Sequence, residues 1–374
     1  MLILSILVVL LSGLNLVAGE NDEPPNLDIW DIDKSCESHR STLQKAYNDV
    51  GRMAIKALKD VRFVQQPRPS HLQDRIEWDR IVRAFENMFG FKPEEKGTGP
   101  GDEYFQKVLG VYERMNEALY GKVNYPLCGF SGLYNKPLWM CGDTLWEWHT
   151  KEMNDPSITP TKPLYLSRPN IFTKATGAWI YGERFITNGD SGSVGICRPS
   201  VWAVTRVRED FITFCDSYFS AKVSRTESPV DGRNSVVAGK KLDDFGVLAA
   251  SRIMFHELVH WHQQLISYVN EVKDEQAVLK EGELIWSFKN AAEEIELTTT
   301  KKGPDEAYTA LSTYGYTRCS RLARSHPGSK FAENSGPSKA TKTAETYAYF
   351  AMMAYLDNYD WSGDGKAKKI DWQT

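Results

Sequence analysis

Apolar residues recur at helical spacing in three stretches of the first third of the chain. Leu43, Ala46, Val50, Met53, Ala54 and Leu58 predict a helix over about 35–64, closed by Pro67 and Pro69. Ile76, Trp78, Ile81, Val82, Phe85 and Met88 predict a second over 72–89, and Phe105, Val108, Leu109, Val111, Tyr112 and Met115 a third over 102–119. Near residue 123 the pattern changes. Residues 125–220 are rich in Gly, Pro, aromatic and β-branched residues, with short strands predicted near 178–181, 201–207 and 211–215. After a polar, turn-rich stretch over 221–233, helical spacing returns at 241–265 through Leu242, Phe245, Leu248, Ala249, Ile253, Leu258 and Val259. A last helix with an aromatic stripe is expected at 344–351. The whole reads as α+β: mainly helical, with a small, disulfide-stapled β region.

The 374 residues are ample for a sizeable core. Residues 1–19 read as a signal peptide: Met1–Leu11 is almost wholly apolar, and the small residues Val17-Ala18-Gly19 precede an acidic run. A secreted, extracellular protein is therefore expected, with no membrane association once the signal is removed. Residues 20–34 are expected to be a flexible lead-in and 357–374 a loose polar tail. Between them lies one domain, 35–356, with a helical part (35–122), a β-rich part (123–235) and the helices of an active site (236–356). Six cysteines in a secreted chain predict three disulfides. The net charge of −4 gives no reason to expect a nucleic-acid partner. Trp139, Trp146, Trp148 and His149 form an aromatic cluster that reads as core packing rather than as a groove.

The predicted helix at 241–265 carries His256-Glu257-Leu258-Val259-His260, an H-E-x-x-H sequence. Residues four apart share a helix face, so both imidazoles can hold one Zn²⁺ while Glu257 reaches a water in the open position as general base. An ordinary helix with two half-buried histidines is the plainer alternative. A catalytic zinc site needs a third protein ligand. His262, two residues past His260, points to the other side of the helix and reads as a second-sphere or surface residue. Glu293, Glu294 and Glu296 are candidates if they lie on a following helix, with Glu275, Glu281 and Glu283 weaker ones. Asp305, in the turn Gly303-Pro304-Asp305-Glu306, is another.

Further on come Tyr314-Gly315, Cys319-Ser320-Arg321-Leu322-Ala323, and Thr346-Tyr347-Ala348-Tyr349-Phe350-Ala351. Together with the H-E-x-x-H stretch and an Asp, this resembles the deuterolysin and peptidyl-Lys metalloendopeptidase family, the aspzincins, mostly secreted fungal proteins. Specific resemblance covers about residues 245–356. It implies a zincin-like zinc endopeptidase with His256, His260 and an Asp as ligands, Glu257 as base, and a Tyr that stabilises the transition state. Asp305 is the matching Asp and Tyr314 the matching Tyr, with Tyr308 and Tyr316 as alternatives. The family's arrangement is G-T-x-D-x-x-Y-G, whereas Leu311 stands three residues before Tyr314, and Tyr308, three after Asp305, is followed by Thr309. Either an insertion separates Asp from Tyr, or a Glu is the third ligand, or that ligand is lost. Protein or peptide substrates and a monomer are expected. A secreted zinc-binding protein without peptidase activity is the alternative.

Overall fold

The computed structural model describes residues 24–95, 100–121, 136–170, 172, 174–187, 191–207, 209–264, 272–279, 281–290, 292–325 and 330–373. The expected signal peptide and Cys128 lie outside these residues. The chain is mixed α+β, about 44% helical with small sheets.

Helices α1 (Arg40–Val64), α2 (Leu72–Phe89) and α3 (Pro100–Leu119) stand where the apolar spacing places them, except that 34–39 is a 3-10 turn leading into α1. In α1 the buried side chains Leu43, Ala46, Tyr47, Val50, Met53, Ala54, Ala57, Leu58, Val61 and Val64 follow a three-to-four-residue spacing. They form one wall of the main core. The motif helix α4 (Ala250–Gln264) and the late helix α6 (Ala344–Tyr355) pack on α1 and on each other, and α3 closes against α1 and α4. Helix α5 (Tyr316–Arg324) packs on α2 and α6.

The expected helix over 241–265 is broken. A short turn at Asp243–Gly246 precedes α4, and the break at 247–249 is held by Arg252, whose guanidinium donates to the Gly246 carbonyl at 2.9 Å and to the Val247 carbonyl. Gly246 is required there, because a Cβ would lie 2.4 Å from the Tyr349 hydroxyl.

A four-stranded sheet has the order β1-β2-β7-β6, built from Asp31–Ile32, Leu138–Cys141, Phe211–Phe214 and Ala203–Arg206. β1, β2 and β7 are parallel, and the outer strand β6 runs antiparallel to β7 and packs on α4. A second sheet, β3-β4-β5, joins Glu147–Thr150, Gly177–Tyr181 and Arg184–Ile186. A third, formed by Trp286–Lys289, Ile295–Thr298 and Thr309–Ala310, is treated with the site below.

Both ends of the domain depart from expectation. The lead-in packs: Ile29 and Trp30 are buried, and β1 pairs with β2. The tail packs as well, with Trp361 buried and its indole donating to the Leu356 carbonyl at 2.9 Å. There β11 (Tyr359–Asp360) pairs with β12 (Lys368–Lys369). In each case one or two aromatic anchors inside a polar stretch provide the burial that composition averages away.

Two disulfides form among the described residues, Cys36–Cys141 and Cys197–Cys215, rather than three. Cys319 is a free, buried thiol. No helix of the described residues is long and apolar enough to cross a membrane. Trp139 and Trp146 are core residues, and Trp148 is half-buried against Trp179.

Candidate metal centre

Helix α4 is buried nearly all round: Ile253, Met254, Phe255, Leu258, Val259 and Trp261 are all in the core. This fixes its rotation and turns His256 and His260 to one side. Their Nε2 atoms are 3.0 Å apart. The Nδ1 atom of each points away from that meeting point, in His260 at the Val272 carbonyl (2.9 Å) and in His256 at Glu345 Oε2 (3.0 Å). Partners of this kind fix the tautomer that leaves Nε2 free as a ligand atom.

The third group is Asp274. Its Oδ1 lies 3.0 Å from His256 Nε2 and 3.5 Å from His260 Nε2. Among the described residues, His256, His260 and Asp274 are the one set of three or more such side chains placed to hold a metal ion. The geometry fits zinc. A tetrahedron with metal–ligand bonds of about 2.0–2.1 Å has edges of about 3.3 Å. The three edges here are 3.0, 3.0 and 3.5 Å. Two neutral imidazoles and a carboxylate also suit that ion chemically.

The charges agree with the geometry. Burial alone would lower the His256 pKa, but Asp274 and then Glu345 outweigh it and bring it to about 10. Burial alone would raise Asp274, and the two imidazoles outweigh that too, holding it well below the usual carboxylate range. A metal held by His256 would have to displace this proton, so its binding would strengthen as pH rises.

Tyr314 closes the site. Its hydroxyl donates to Asp274 Oδ2 at 2.7 Å, and its ring lies edge-on to His256 with centroids 5.6 Å apart. Burial, followed by the charges of Asp274, Glu257 and Glu345, pushes the phenol far up, so it remains a hydrogen-bond donor. Glu257 is buried beside the β6 strand, where its Oε2 accepts from Thr205 Oγ1 at 2.7 Å.

Of the sequence-predicted residues, then, His256, Glu257, His260 and Tyr314 stand at one place, and Asp305 does not. Asp305 sits in an exposed 3-10 turn, paired with Lys301 at 3.0 Å. The physical reason is the chain's path between Asp274 and Tyr314. Thr313 N donates to Glu275 O at 2.9 Å and Gln276 pairs with Ser312, so the chain leaves and returns at the same point. The excursion carries the three-stranded sheet of β8 (Trp286–Lys289), β9 (Ile295–Thr298) and β10 (Thr309–Ala310), with Asp305 beyond β9.

Glu293, Glu294 and Glu296 belong to the β8–β9 hairpin rather than to a helix. Glu293 pairs with Lys289 at 2.7 Å, Glu296 accepts from Asn290 at 2.7 Å, and all three are exposed. Tyr308 accepts from Lys302 N, and Tyr316 is buried against Asn87, so neither reaches the site. His262 is neither a surface residue nor beside the ligands. It is fully buried near Trp30 on the far side of α4, where burial and then Arg114 push its pKa down to about 3.

Asp274, Glu345, Arg252 and Thr205 were invisible to motif reading. A signal for Asp274 emerges only once the path of the chain is known. With 276–312 taken out, the chain reads Asp274-Glu275-Thr313-Tyr314-Gly315, which has the D-x-x-Y-G spacing. Compared with protein-family models, curated proteins and solved structures, the chain gives no match.

Proposed function

We propose that this chain is a zinc-dependent endopeptidase, a divergent member of the aspzincins on a zincin-like fold, acting outside the cell on protein or peptide substrates. The observation that carries the reading is the near-tetrahedral meeting of His256, His260 and Asp274 with Tyr314 and Glu257 beside it. The recovered D-x-x-Y-G order supports the family assignment, since the departure in spacing reduces to one inserted excursion. Two disulfides fit an oxidising compartment.

His256, His260 and Asp274 would hold the zinc. Bound there, it would lower the pKa of a water and polarise the scissile carbonyl. Glu257 accepts the proton of the attacking water and returns it to the leaving amine. Thr205 holds Glu257 by donating to Oε2, which leaves the other carboxylate oxygen for this work. Tyr314 turns its hydroxyl from Asp274 to the oxyanion that forms on the carbonyl. Among the described residues β6 is the outer strand of its sheet and carries Thr205, so a substrate strand laid along its outer edge would pass Glu257.

The test is casein or peptide cleavage by the native protein and by Glu257→Gln, each with and without a chelator. We expect chelator-sensitive cleavage by the native protein, and in the variant unchanged zinc content with a fall in kcat of at least ~10²-fold. Cleavage by Glu257→Gln at the native rate would refute the mechanism. Bound zinc without any turnover in the native protein would point instead to a secreted zinc-binding protein.

A further inference from the structure

Glu345 is fully buried near the start of α6, and one carboxylate serves three partners. Its Oε2 accepts from His256 Nδ1 at 3.0 Å and from Arg252 Nη1 at 3.0 Å. Its Oε1 accepts from the backbone N–H of Gly315 at 3.1 Å. The first partner is a proposed ligand, the second belongs to the same helix as the ligands, and the third is the peptide unit next to Tyr314. Gly315 has φ +89°, a conformation that lets the chain turn directly from Tyr314 into α5. The turn is held from its other side by Asp243, whose Oδ1 accepts from Tyr316 N at 2.9 Å and from the Tyr349 hydroxyl at 2.7 Å.

Asp274 is tied to the same element. Lys273 N donates to Lys342 O at 2.8 Å, and Lys273 bridges Thr343, the residue that caps α6 two positions before Glu345. The N-terminal turn of α6 therefore touches His256, the segment that carries Asp274 and the turn of Tyr314.

Resting on the reading above, we propose that Glu345 is a positioning residue that sets the His256 ring and the Tyr314 hydroxyl together, so that metal affinity and transition-state stabilisation depend on one carboxylate. A second partner on a ligand imidazole fixes its orientation and raises its basicity, and loss of such a partner weakens metal binding by about 10–100-fold. The Gly315 bond adds a consequence that a partner of His256 alone would not have. Without it, the Tyr314 hydroxyl loses its fixed distance to the site.

The experiment compares zinc-loaded native protein with Glu345→Gln, Tyr314→Phe and the double variant. Tyr347→Phe, on the same helix and bonded through its hydroxyl to Thr341 O at 2.8 Å, controls for plain loss of α6 packing. Zinc affinity is measured by competition with a chromophoric chelator. Glu345→Gln is expected to bind zinc about 10–100-fold more weakly, and Tyr347→Phe as the native protein does. At saturating zinc, Glu345→Gln lowers kcat on a peptide substrate with KM unchanged. Its kcat loss does not multiply with that of Tyr314→Phe, because both act through one hydroxyl.

Native-like zinc affinity in Glu345→Gln, or kcat losses that multiply, overturns the proposal. If Glu345→Gln does not fold, imidazole NMR of the native zinc protein decides. A slowly exchanging Nδ1 proton on His256 supports the proposal, and exchange as fast as that of an exposed imidazole overturns it. Absence of zinc from the native protein would be a failure of the functional reading instead, and is seen before any variant is made.

Discussion

Asp274 and Asp305 both lie between the H-E-x-x-H motif and Tyr314, and residue type does not separate them. What separates them is where the backbone hydrogen bonds close. Glu275 and Thr313 are bonded, so Asp274 and Tyr314 are spatial neighbours although forty positions apart in sequence. Such a closure leaves no mark in a local motif. The two histidines and Glu257 were legible because their geometry is set by one turn of helix. Tyr314 was legible because the Gly beside it marks its turn.

Lys107 shows a second kind of residue-scale effect, one outside the site. Burial and then Lys342 bring its pKa down to about 8 from an ordinary 10.5. The folded state thus holds this proton less tightly than the unfolded chain. The resulting penalty is fully present below pH 8 and is relieved as pH rises toward 10.5. Because the side chain is partly exposed, the penalty is about 1–2 kcal/mol after allowance for solvent screening. Lys107→Leu should raise the melting temperature at pH 7, and the gain should shrink by pH 10; a gain that is equal at both pH values would contradict this assignment.

Among the elements, the long amphipathic helices were readable from spacing because each buries one face. Helix α4 was readable only in part. Its apolar pattern runs on through 242–249, but the Arg252 bonds to the Gly246 and Val247 carbonyls break it. The β8–β9–β10 excursion is not legible from composition, because its Glu-rich stretch suits a helix, whereas cross-strand pairs such as Trp286 with Thr298 and with Ala310 hold it as a sheet.

This gives an element-scale prediction. Ser287 and Thr309 are directly paired across β8 and β10, so residues 288–308 can be replaced by an Asn-Gly turn. The replacement removes Asp305, Glu293, Glu294 and Glu296 together. It should leave one zinc per chain, as measured by metal analysis after dialysis. A zinc-free product that is otherwise folded, by circular dichroism and size-exclusion chromatography, would show that the excursion supplies a ligand.

At the scale of the whole molecule, the site is assembled where α4, the segment of Asp274, the α5 turn and α6 meet, and each comes from a different part of the chain. An ion bound at this junction stabilises the folded state only, since the unfolded chain has no such arrangement. At zinc a thousandfold above its Kd the gain is about 4 kcal/mol. For a chain of this size that corresponds to a melting shift on the order of 5 °C. Chelator should therefore lower the melting temperature by that order, and added zinc should restore it; an unchanged melting temperature would mean no specific site.

The most direct test of the central claim, that His256, His260 and Asp274 hold the metal, is the zinc content of three proteins dialysed side by side. The native chain and Asp305→Asn should each retain about one zinc, and Asp274→Asn close to none. Zinc retained by Asp274→Asn and lost by Asp305→Asn, or no zinc in the native chain, would contradict it.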